Sequence, residues 1–390
     1  MTANSRCPHG LTIGIDATNI LHGGGMTHLK ELLCEASPKK YGIETVIVWG
    51  RKATIDLLED RFWLKKICPP EIESGALSRY FWQRYKLPKI VAASGCDLMF
   101  VPGGHHSGEF HPVVALSQNL LPFEYREMFR FGWSKMTLKM FLLRIMQSWS
   151  FRHAEGILFL TNYAKQRVLL CLGKFQAKTI IIPHGLNNRF IFKPRVQKAI
   201  SSYSPERPFR LIYVSSIDQY KHQWHVVEAV SQLRQEGLPL ALDLVGPAYP
   251  PALLRLKLTL GRHPNSSDYI SYLGSIPYDQ LHQQYAKADL GIFASSCENL
   301  PITLIETMAA GLPIACSHRG SMPEVLRESG VYFDPEKPDE IAQALRSLIV
   351  GKKLRETKSI SSHKLAQEYS WKQCANQTFA FLSEIAKDFK

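Results

Sequence analysis

Short apolar segments alternate with longer amphipathic segments along almost the whole chain. The apolar segments hold four to six residues between Gly or Pro, which is typical of strands buried on both faces of a parallel sheet. Strands are expected at 11–16, 43–48, 98–101, 113–116, 156–160, 179–182, 211–214, 240–245, 269–273, 288–293 and 312–316, and helices at 26–36, 222–236 and 341–349. The pattern predicts an α/β protein with doubly wound parallel sheets.

The segment 190–210 interrupts this pattern, because Lys, Ser, Tyr and three prolines replace the apolar runs. Such a composition is typical of a linker between domains, and 390 residues suit two domains of ordinary size. We therefore expect a first Rossmann-like domain at 1–195 and a second at 196–369. Ser-Trp-Lys-Gln at 370–373 has the spacing of a capping box, so the remaining segment, 370–390, predicts a last helix.

The most informative stretch lies between the expected strands 288–293 and 312–316. Pro301 suits the first turn of a helix, where its missing N–H costs nothing. Gly311 suits the left-handed position just past the helix end. The free N–H groups of the first turn, around Asn299 to Thr303, carry partial positive charge and suit an anion such as phosphate.

Two carboxylates flank the start of this helix. Glu298 precedes Pro301 in the loop, and Glu306 follows it inside the helix. A carboxylate does not bind a phosphate, but it accepts hydrogen bonds from neutral hydroxyls. A ligand with both phosphate and hydroxyl groups is a sugar nucleotide. Either glutamate alone is more simply a solvated surface residue; the flanking Pro and Gly favour the binding interpretation.

Glu298, seven intervening residues and Glu306, followed by Met-Ala-Ala-Gly-Leu-Pro, resemble the signature of the retaining glycosyltransferases of family 4, the glycosyl transferases group 1. The resemblance continues through Arg-Gly-Ser-Met-Pro-Glu-Val at 319–325. It implies the GT-B fold, with two facing Rossmann-like doubly wound domains and a C-terminal helix that crosses back to the first domain. It also implies acceptor binding by the first domain and nucleotide-sugar binding mainly by the second, at the carboxyl ends of the strands.

The resemblance assigns roles to the residues of this stretch. Glu306 would accept hydrogen bonds from the ribose hydroxyls and Glu298 from hydroxyls of the sugar. The backbone from Asn299 to Ile302, including Leu300 and Pro301, would stabilise the departing diphosphate together with Lys221. Ile276 is where relatives contact the base.

Lys221 follows the first strand of the second domain, where the resembling enzymes carry an arginine and a lysine six residues apart. Here Ser215 stands at the arginine position and Ser216 follows it. Lys221 alone supplies one point charge, and it could also be an ordinary solvated lysine. A slower enzyme, a different donor contact, and a substitute such as Arg319 or Arg189 remain open.

The glycine triplet at 23–25 follows the first strand, where nucleotide folds bind phosphate. A tight turn without a ligand is the simpler interpretation of the triplet alone, and it is not Gly-x-Gly-x-x-Gly, which argues against a dinucleotide dehydrogenase. In the resembling enzymes this loop faces the donor phosphates and the acceptor, so Gly24 and Gly25 are donor-site candidates.

Gln118 and Asn119 end a strand of the first half, where many relatives place a His, often followed by Asp, that contacts the donor sugar. An amide cannot act as a general base, but it can hydrogen-bond hydroxyls or a developing charge. We count both with Lys221 and Glu298 as catalytic candidates, and a structural loop amide is an equally compatible interpretation.

No metal site is expected. His105 and His106 have no third ligand at a usable spacing, there is no Asp-x-Asp pair, and His184 suits a turn. The resemblance agrees with a metal-free mechanism that needs no cofactor beyond a UDP- or GDP-sugar substrate.

The positive charge is concentrated in the first half. Residues 1–195 hold 26 Lys and Arg against 14 Asp and Glu, and residues 196–390 hold 21 against 20. An anionic membrane, a phosphorylated lipid or a nucleic acid would suit such a surface, although no motif of a nucleic-acid module is present. Segment 126–152 mixes six basic residues with six aromatics; it is either a mostly buried helix of the first domain or a membrane-surface or lipid-acceptor segment.

The eight cysteines contain no Cys-x-x-Cys pair, so we expect buried, reduced thiols. Residues 1–10 have no signal-peptide core, and no run of 18 apolar residues occurs. A cytoplasmic location is expected, with peripheral attachment to the inner face of the cytoplasmic membrane as an option.

Together these features predict a retaining, metal-independent glycosyltransferase that moves a sugar from a nucleotide sugar to a saccharide or lipid-linked saccharide, in bacterial surface polysaccharide or lipopolysaccharide synthesis. The alternative is a catalytically weak nucleotide-sugar-binding subunit of a glycan-synthesis complex, because the arginine and histidine positions are altered.

Overall fold

The computed structural model describes residues 10–21 and 23–389. The chain forms two compact units: the first takes in the residues up to Phe123, Leu138–Gly185 and the residues from Trp371 onward, and the second takes in Glu124–Thr137 and Leu186–Ser370. These units differ from the expected domains in two places. The chain enters the second unit at Leu186, earlier than the expected boundary at residue 195, and the segment Glu124–Thr137 also belongs to that unit.

The first unit is built on a seven-stranded sheet in the order β3-β2-β1-β4-β5-β6-β7. Its strands are β1 (Leu11–Asp16), β2 (Ile43–Trp49), β3 (Leu64–Ile67), β4 (Leu98–Val101), β5 (Val113–Ser117), β6 (Gly156–Phe159) and β7 (Lys178–Ile181). All neighbouring strands run parallel. The strand order reverses between β1 and β4, and ligands of such sheets bind where the order reverses.

The second unit repeats this arrangement with six strands in the order β10-β9-β8-β11-β12-β13. The strands are β8 (Phe209–Val214), β9 (Leu240–Val245), β10 (Ile270–Gly274), β11 (Leu290–Phe293), β12 (Ile314–Ser317) and β13 (Val331–Phe333). All pairs are again parallel. Here the order reverses between β8 and β11, so the loops that follow these two strands border the expected ligand position.

Helices of both units connect these strands. In chain order they are α1 (Gly24–Cys34), α2 (Lys52–Ile55), α3 (Ala76–Phe81), α4 (Leu87–Ala93), α5 (Tyr125–Met128), α6 (Lys135–Arg152), α7 (Asn162–Leu172), α8 (Gln223–Gln235), α9 (Pro250–Arg262), α10 (Leu281–Lys287), α11 (Ile302–Ala309), α12 (Met322–Leu326), α13 (Pro338–Val350), α14 (Lys352–Ala366) and α15 (Trp371–Asp388). The last of these, α15, packs in the first unit against α1, β1 and β4. None of the helices described is long and apolar enough to cross a membrane.

The buried strands confirm the apolar pattern. Every residue of β4, β5, β6, β11 and β12 is buried, as a parallel sheet covered on both faces requires. The pattern did not predict β3 and β13, which are the outermost strands of one edge of each sheet. An edge strand needs less apolar character, and β3 carries two lysines between its apolar ends.

The interpretation of 126–152 as one mostly buried helix is wrong. The structure breaks the segment after α5 and a turn at Phe129–Phe131, where Gly132 adopts a positive φ of 60°. The helix α6 then buries few large apolar side chains and leaves five of them exposed.

The expectation that all the cysteines are buried is also corrected. Cys68 is exposed, Cys34, Cys96 and Cys171 are half-buried, and Cys297, Cys316 and Cys374 are buried. Cys7 and the rest of the expected signal-free N-terminus up to residue 9 lie outside the described residues.

Candidate functional site

Two loops of the second unit lie side by side at the carboxyl ends of β8 and β11. The first runs from Ser215 to α8 and the second from Ala294 to α11. The Ser296 N–H donates to the Tyr220 carbonyl at 2.8 Å. This backbone bond fixes the two loops against each other at the reversal of strand order.

Lys221 and Glu298 form a direct ion pair across these loops. Their side chains are only 9% and 16% exposed. The Lys221 ammonium also lies over the rings of Tyr220 and Phe293, 5.0 and 5.7 Å from the ring centroids. The structure therefore brings two catalytic candidates together, with the lysine charge neutralised by the carboxylate.

Ser215 and Ser216 are held inside the first of these loops. The Gln223 amide donates to the Ser215 hydroxyl at 2.9 Å and to the Ser216 carbonyl at 2.8 Å. Ser215 is buried, and a Cβ at Gly246 would collide with its carbonyl. Both serines thus have internal partners, and their donor-binding role stays a prediction.

The two arginines suggested as substitutes for the missing family arginine have protein partners. Arg319 donates to Asp334 at 2.8 Å. Arg189 donates to the Asn187 side chain at 3.0 Å and lies 5.4 Å from the centroid of the Tyr278 ring. A diphosphate would have to compete with these contacts.

The helix α11 begins at Ile302, so Pro301 is its cap residue rather than part of its first turn. Gly311 follows the helix with φ 65°, which confirms the left-handed position, and a Cβ there would lie 2.8 Å from Pro194 Cα. Asn299, Leu300 and Pro301 are buried, whereas Ile302 is half-buried. Ligand access at this helix start is therefore limited to its first turn.

The loop after β12 contacts the backbone of Glu298. The Ser321 hydroxyl donates to the Glu298 carbonyl at 3.0 Å. Gly320 has φ 63°, and a Cβ there would lie 3.6 Å from Glu298 N. The positive φ makes a glycine favourable at this turn. Gly320 and Ser321 together thus fix the backbone of Glu298.

Glu306 is more deeply buried than its expected ribose contact requires. Its carboxyl is 1% exposed, and the Tyr285 hydroxyl donates to Glu306 Oε2 at 3.2 Å. Burial raises the pKa of Glu306 to about 8, while hydrogen bonds from Tyr278 and Tyr285 and the charge of Arg189 act in the opposite direction. The ribose role stays a prediction; Tyr285 occupies Glu306 Oε2, and Glu306 Oε1 has no hydrogen-bond partner within the part of the chain that the structure describes. Ile276 is half-buried in the loop after β10.

In the first unit, Gly25 and Gln118 lie in contact. With its amide oriented to suit both neighbours, Gln118 accepts from the Gly25 N–H at 3.3 Å and donates to the Pro102 carbonyl at 3.1 Å. A Cβ at Gly25 would lie 3.1 Å from the nearest atom of the Gln118 amide group. Gly24 is exposed at the first position of α1.

Asn119 is exposed, and its side chain accepts from the Leu121 N–H at 3.1 Å. This local bond is typical of a structural turn. The structure gives no further contact that supports or opposes its predicted role at the donor sugar.

Sequence reasoning missed Asp16, a buried carboxylate at the carboxyl end of β1. It accepts from the Thr18 hydroxyl at 2.6 Å and from the Gln83 amide at 2.7 Å. Burial raises the pKa of Asp16, and these hydrogen bonds oppose the shift. The available signal was its place, directly after an apolar strand at the reversal of strand order.

His184 is a core residue rather than only a turn residue. Its ring stacks on His28 and Trp371, with centroids 4.6 and 5.5 Å away. Burial holds the pKa of His184 well below its usual range. Trp371 lies too far along the chain for local patterns to reveal this stack.

Among residues 10–21 and 23–389, no group of three or more His, Cys, Asp and Glu side chains could hold a metal ion. His105 and His106 are buried, and burial lowers the pKa of each to about 4.

Known proteins are similar to this chain in sequence and in fold. Residues 194–362 match the family model described as Glycosyl transferases group 1. The chain is 31% identical over 110 residues to the O-antigen chain mannosyltransferase B of Escherichia coli, which covers 28% of this chain and 29% of that protein. It is 25% identical over 235 residues to a GDP-mannose-dependent alpha-(1-6)-phosphatidylinositol monomannoside mannosyltransferase of Mycobacterium tuberculosis, over 56% of this chain and 58% of that protein.

The chain thus spans less than two thirds of the length of these curated relatives. Its structure resembles that of a sucrose-phosphate synthase from Thermosynechococcus elongatus with a TM-score of 0.75 and 17% identity, over 97% of this chain and all of the other. At that identity the likeness shows the fold alone. It confirms the expected fold class, GT-B, with two Rossmann-like parallel-sheet domains.

Proposed function

We propose that this chain, whose residues 194–362 belong to the glycosyl transferases group 1 family, is a retaining glycosyltransferase that uses a nucleotide-sugar donor and needs no metal ion. The observation that carries the proposal is the ion pair between Lys221 and Glu298 at the reversal of strand order in the second unit. One side chain suits a phosphate and the other suits hydroxyls.

The ion pair suggests how the donor would bind. A diphosphate carries more negative charge than one carboxylate, so it would take the Lys221 ammonium away from Glu298. The released carboxylate would then accept hydrogen bonds from the sugar hydroxyls. In this way the donor supplies a new partner to each member of the pair, and neither charge is left buried alone.

The chemical step would depend on stabilising the leaving group. As the bond between the anomeric carbon and the diphosphate oxygen breaks, Lys221 and the first N–H groups of α11 would stabilise the growing negative charge. The acceptor hydroxyl would form the new glycosidic bond on the same face of the sugar, and its proton would pass to the departing oxygen.

The donor to test first is GDP-mannose, because both relatives described above are named mannosyltransferases and one is named as GDP-mannose-dependent. A UDP-sugar is the other class that the resemblance implies. The same names suggest an acceptor on a polysaccharide or a phosphorylated glycolipid.

We further propose that the acceptor lies at an anionic membrane surface, which α6 contacts. Five large apolar residues of α6 are each at least 40% exposed: Leu138, Phe141, Leu142, Ile145 and Trp149. Their spacing places them on one helix face. Lys135, Lys139 and Arg152 are exposed on the same helix, and the sequence has no acid between Glu127 and Glu155. An apolar face with basic flanks suits anionic lipid.

The test is release of nucleoside diphosphate from a panel of GDP- and UDP-sugars, with and without lipid acceptors. Replacing Lys221 by Ala should lower kcat by about 100- to 1,000-fold, as expected for loss of a charge that stabilises the leaving group. Lys364→Ala, at an exposed position of α14, is the matched control. Donor-induced thermal stabilisation without any release of diphosphate would instead support the weakly active binding subunit.

A further inference from the structure

A buried hydrogen-bonded chain joins α5 to both loops of the candidate site. The Ser296 hydroxyl donates to the Glu127 carboxylate, and His222 Nε2 lies 2.9 Å from the same hydroxyl oxygen. All three side chains are buried. They all belong to the second unit, because the segment Glu124–Thr137 is part of it.

The positions of the protons in this hydrogen-bonded chain follow from the number of hydrogen-bond donors that each group has. Ser296 has one hydroxyl proton, and a carboxylate can only accept. The proton therefore points to Glu127, with the Tyr220 carbonyl a longer alternative at 3.2 Å, so His222 must donate from Nε2. Burial, together with the nearby charge of Arg130, lowers the pKa of His222 to about 2. The histidine is thus neutral and keeps one fixed orientation.

This hydrogen-bonded chain lies next to the ion pair of Lys221 and Glu298 in the sequence as well as in space. Ser296 precedes Glu298 by two residues, and His222 directly follows Lys221. His222 also has a positive φ of 54°, which is unusual for a residue other than glycine. The buried contact of its ring with Ser296 stabilises this conformation of His222, directly after Lys221.

Glu127 is itself fixed by ion pairs. Arg130 Nε donates to Glu127 at 2.7 Å, and Arg130 Nη1 donates to Glu336 at 3.1 Å. Burial alone would lower the pKa of Arg130, but its hydrogen bonds to Glu336 and Glu127 raise it. Arg126 adds an ion pair to Glu336 at 2.6 Å. Arg130, which is the less exposed of the two arginines, therefore fixes Glu127 through its contacts with Glu127 and Glu336, and the exposed Arg126 pair is peripheral to this fixation.

We infer that Glu127 is a positioning residue for the donor site. Through Ser296 and His222 it holds the backbones of Glu298 and Lys221 at a spacing that lets a nucleoside diphosphate take the ammonium from the carboxylate. The inference rests on the function proposed above for that pair. A positioning role affects the transition state more than ground-state binding, because small displacements of a charge that stabilises the leaving group are costly.

The kinetic test uses Glu127→Ala, Ser296→Ala and the double variant, with donor turnover as the readout. Each single change should lower kcat about 10- to 100-fold and leave the donor KM within about threefold. If Glu127 acts through Ser296, the double variant is no slower than the slower single variant. Multiplying losses, or a change in KM alone, would overturn the inference.

Arg126→Ala is the matched control, because Arg126 is exposed on the same segment and its ion pair is with Glu336 rather than with Glu127 or Ser296. It should leave kcat within about twofold, as expected for an exposed ion pair. Thermal unfolding of every variant shows which of them are folded, and Ser296→Ala keeps the test decisive if Glu127→Ala does not fold.

A second readout does not depend on turnover. The rate at which an amine-reactive reagent labels Lys221, followed by mass spectrometry, reports how firmly Glu298 holds the ammonium. Labelling should become several-fold faster in folded Glu127→Ala and Ser296→Ala and stay unchanged in Arg126→Ala. Unchanged labelling in the first two would overturn the positioning role even if turnover falls. If the wild type turns over no donor, the proposed function fails, and the labelling result alone decides the positioning role.

Discussion

The two units place different chemistry at the same point of the same topology. In the second unit, the reversal of strand order carries a largely buried ion pair, Lys221 with Glu298. In the first unit, the corresponding position after β1 carries Asp16, which is held by hydroxyl and amide donors. A shared fold therefore does not assign a function, and the side chains at the strand ends must do so.

The surfaces of the two units also differ, in the charge that surrounds their exposed apolar side chains. The exposed apolar face of α6, which belongs to the first unit from Leu138 onward, lies in a stretch with no acid. The second unit also exposes apolar side chains, Leu254 and Leu258 on α9, but its half of the sequence is nearly neutral. The comparison therefore sets an exposed apolar face with basic flanks in the first unit against a nearly neutral second half of the sequence.

The first of these effects concerns the exposed apolar face of α6. Replacing both Phe141 and Ile145 by Ser should weaken binding to phosphatidylglycerol vesicles about 100-fold, because each side chain contributes several buried carbons. Sedimentation with the vesicles measures the change. The matched double variant, Leu254→Ser with Leu258→Ser, should bind as the wild type does. Equal loss in both variants would remove the distinction between the two units.

The next effect concerns the first-unit site. Asp16→Ala leaves the donors of Thr18 and Gln83 buried without their acceptor, so it should lower the free energy of unfolding by about 2–4 kcal/mol. Urea denaturation measures this change. Asp56→Ala, which removes an exposed ion pair with Lys52, should change stability by less than about 0.5 kcal/mol. A loss of turnover by Asp16→Ala without a loss of stability would make this site chemical rather than structural.

The last effect is a pH dependence in the second unit. The pKa of Glu306 is raised to about 8 by burial, so the folded chain binds a proton that the unfolded chain has released above about pH 4.5. Stability from this group is therefore present at low pH and is lost as the pH rises toward 8. Glu306→Gln should flatten the dependence of the unfolding midpoint between pH 5 and 8, and Glu356→Gln at a half-buried position of α14 should not. An unchanged slope would indicate an accessible carboxylate, as the ribose role requires.

Local patterns predicted much of the fold, because the buried strands are apolar and the helix ends carry recognisable residues. Gly311 is left-handed and Glu298 lies in the loop before α11, as the spacing indicated. The direct pairing of Lys221 with Glu298 was not predictable from spacing alone, since 77 positions separate them.

The features that the sequence did not reveal all depend on distant contacts. Glu306 looks like a surface residue of a helix until Tyr285 and Tyr278 cover it. Glu127 looks like one acid in a basic segment until Ser296, 169 positions later, donates to it. The apolar residues of α6 do not predict which side of the helix is buried. Five of them lie on its exposed face, and its buried side includes polar residues such as Gln147 and Ser150.

The membership of Glu124–Thr137 in the second unit affects how the protein can be divided. A fragment cut at Leu186 and Ser370 would include every donor-site candidate of the second unit but would lack Glu127 and the arginines beside it. Chimaeras that exchange the donor-binding half between relatives would have to transfer this short internal segment as well, although it is encoded far upstream of the rest of that half.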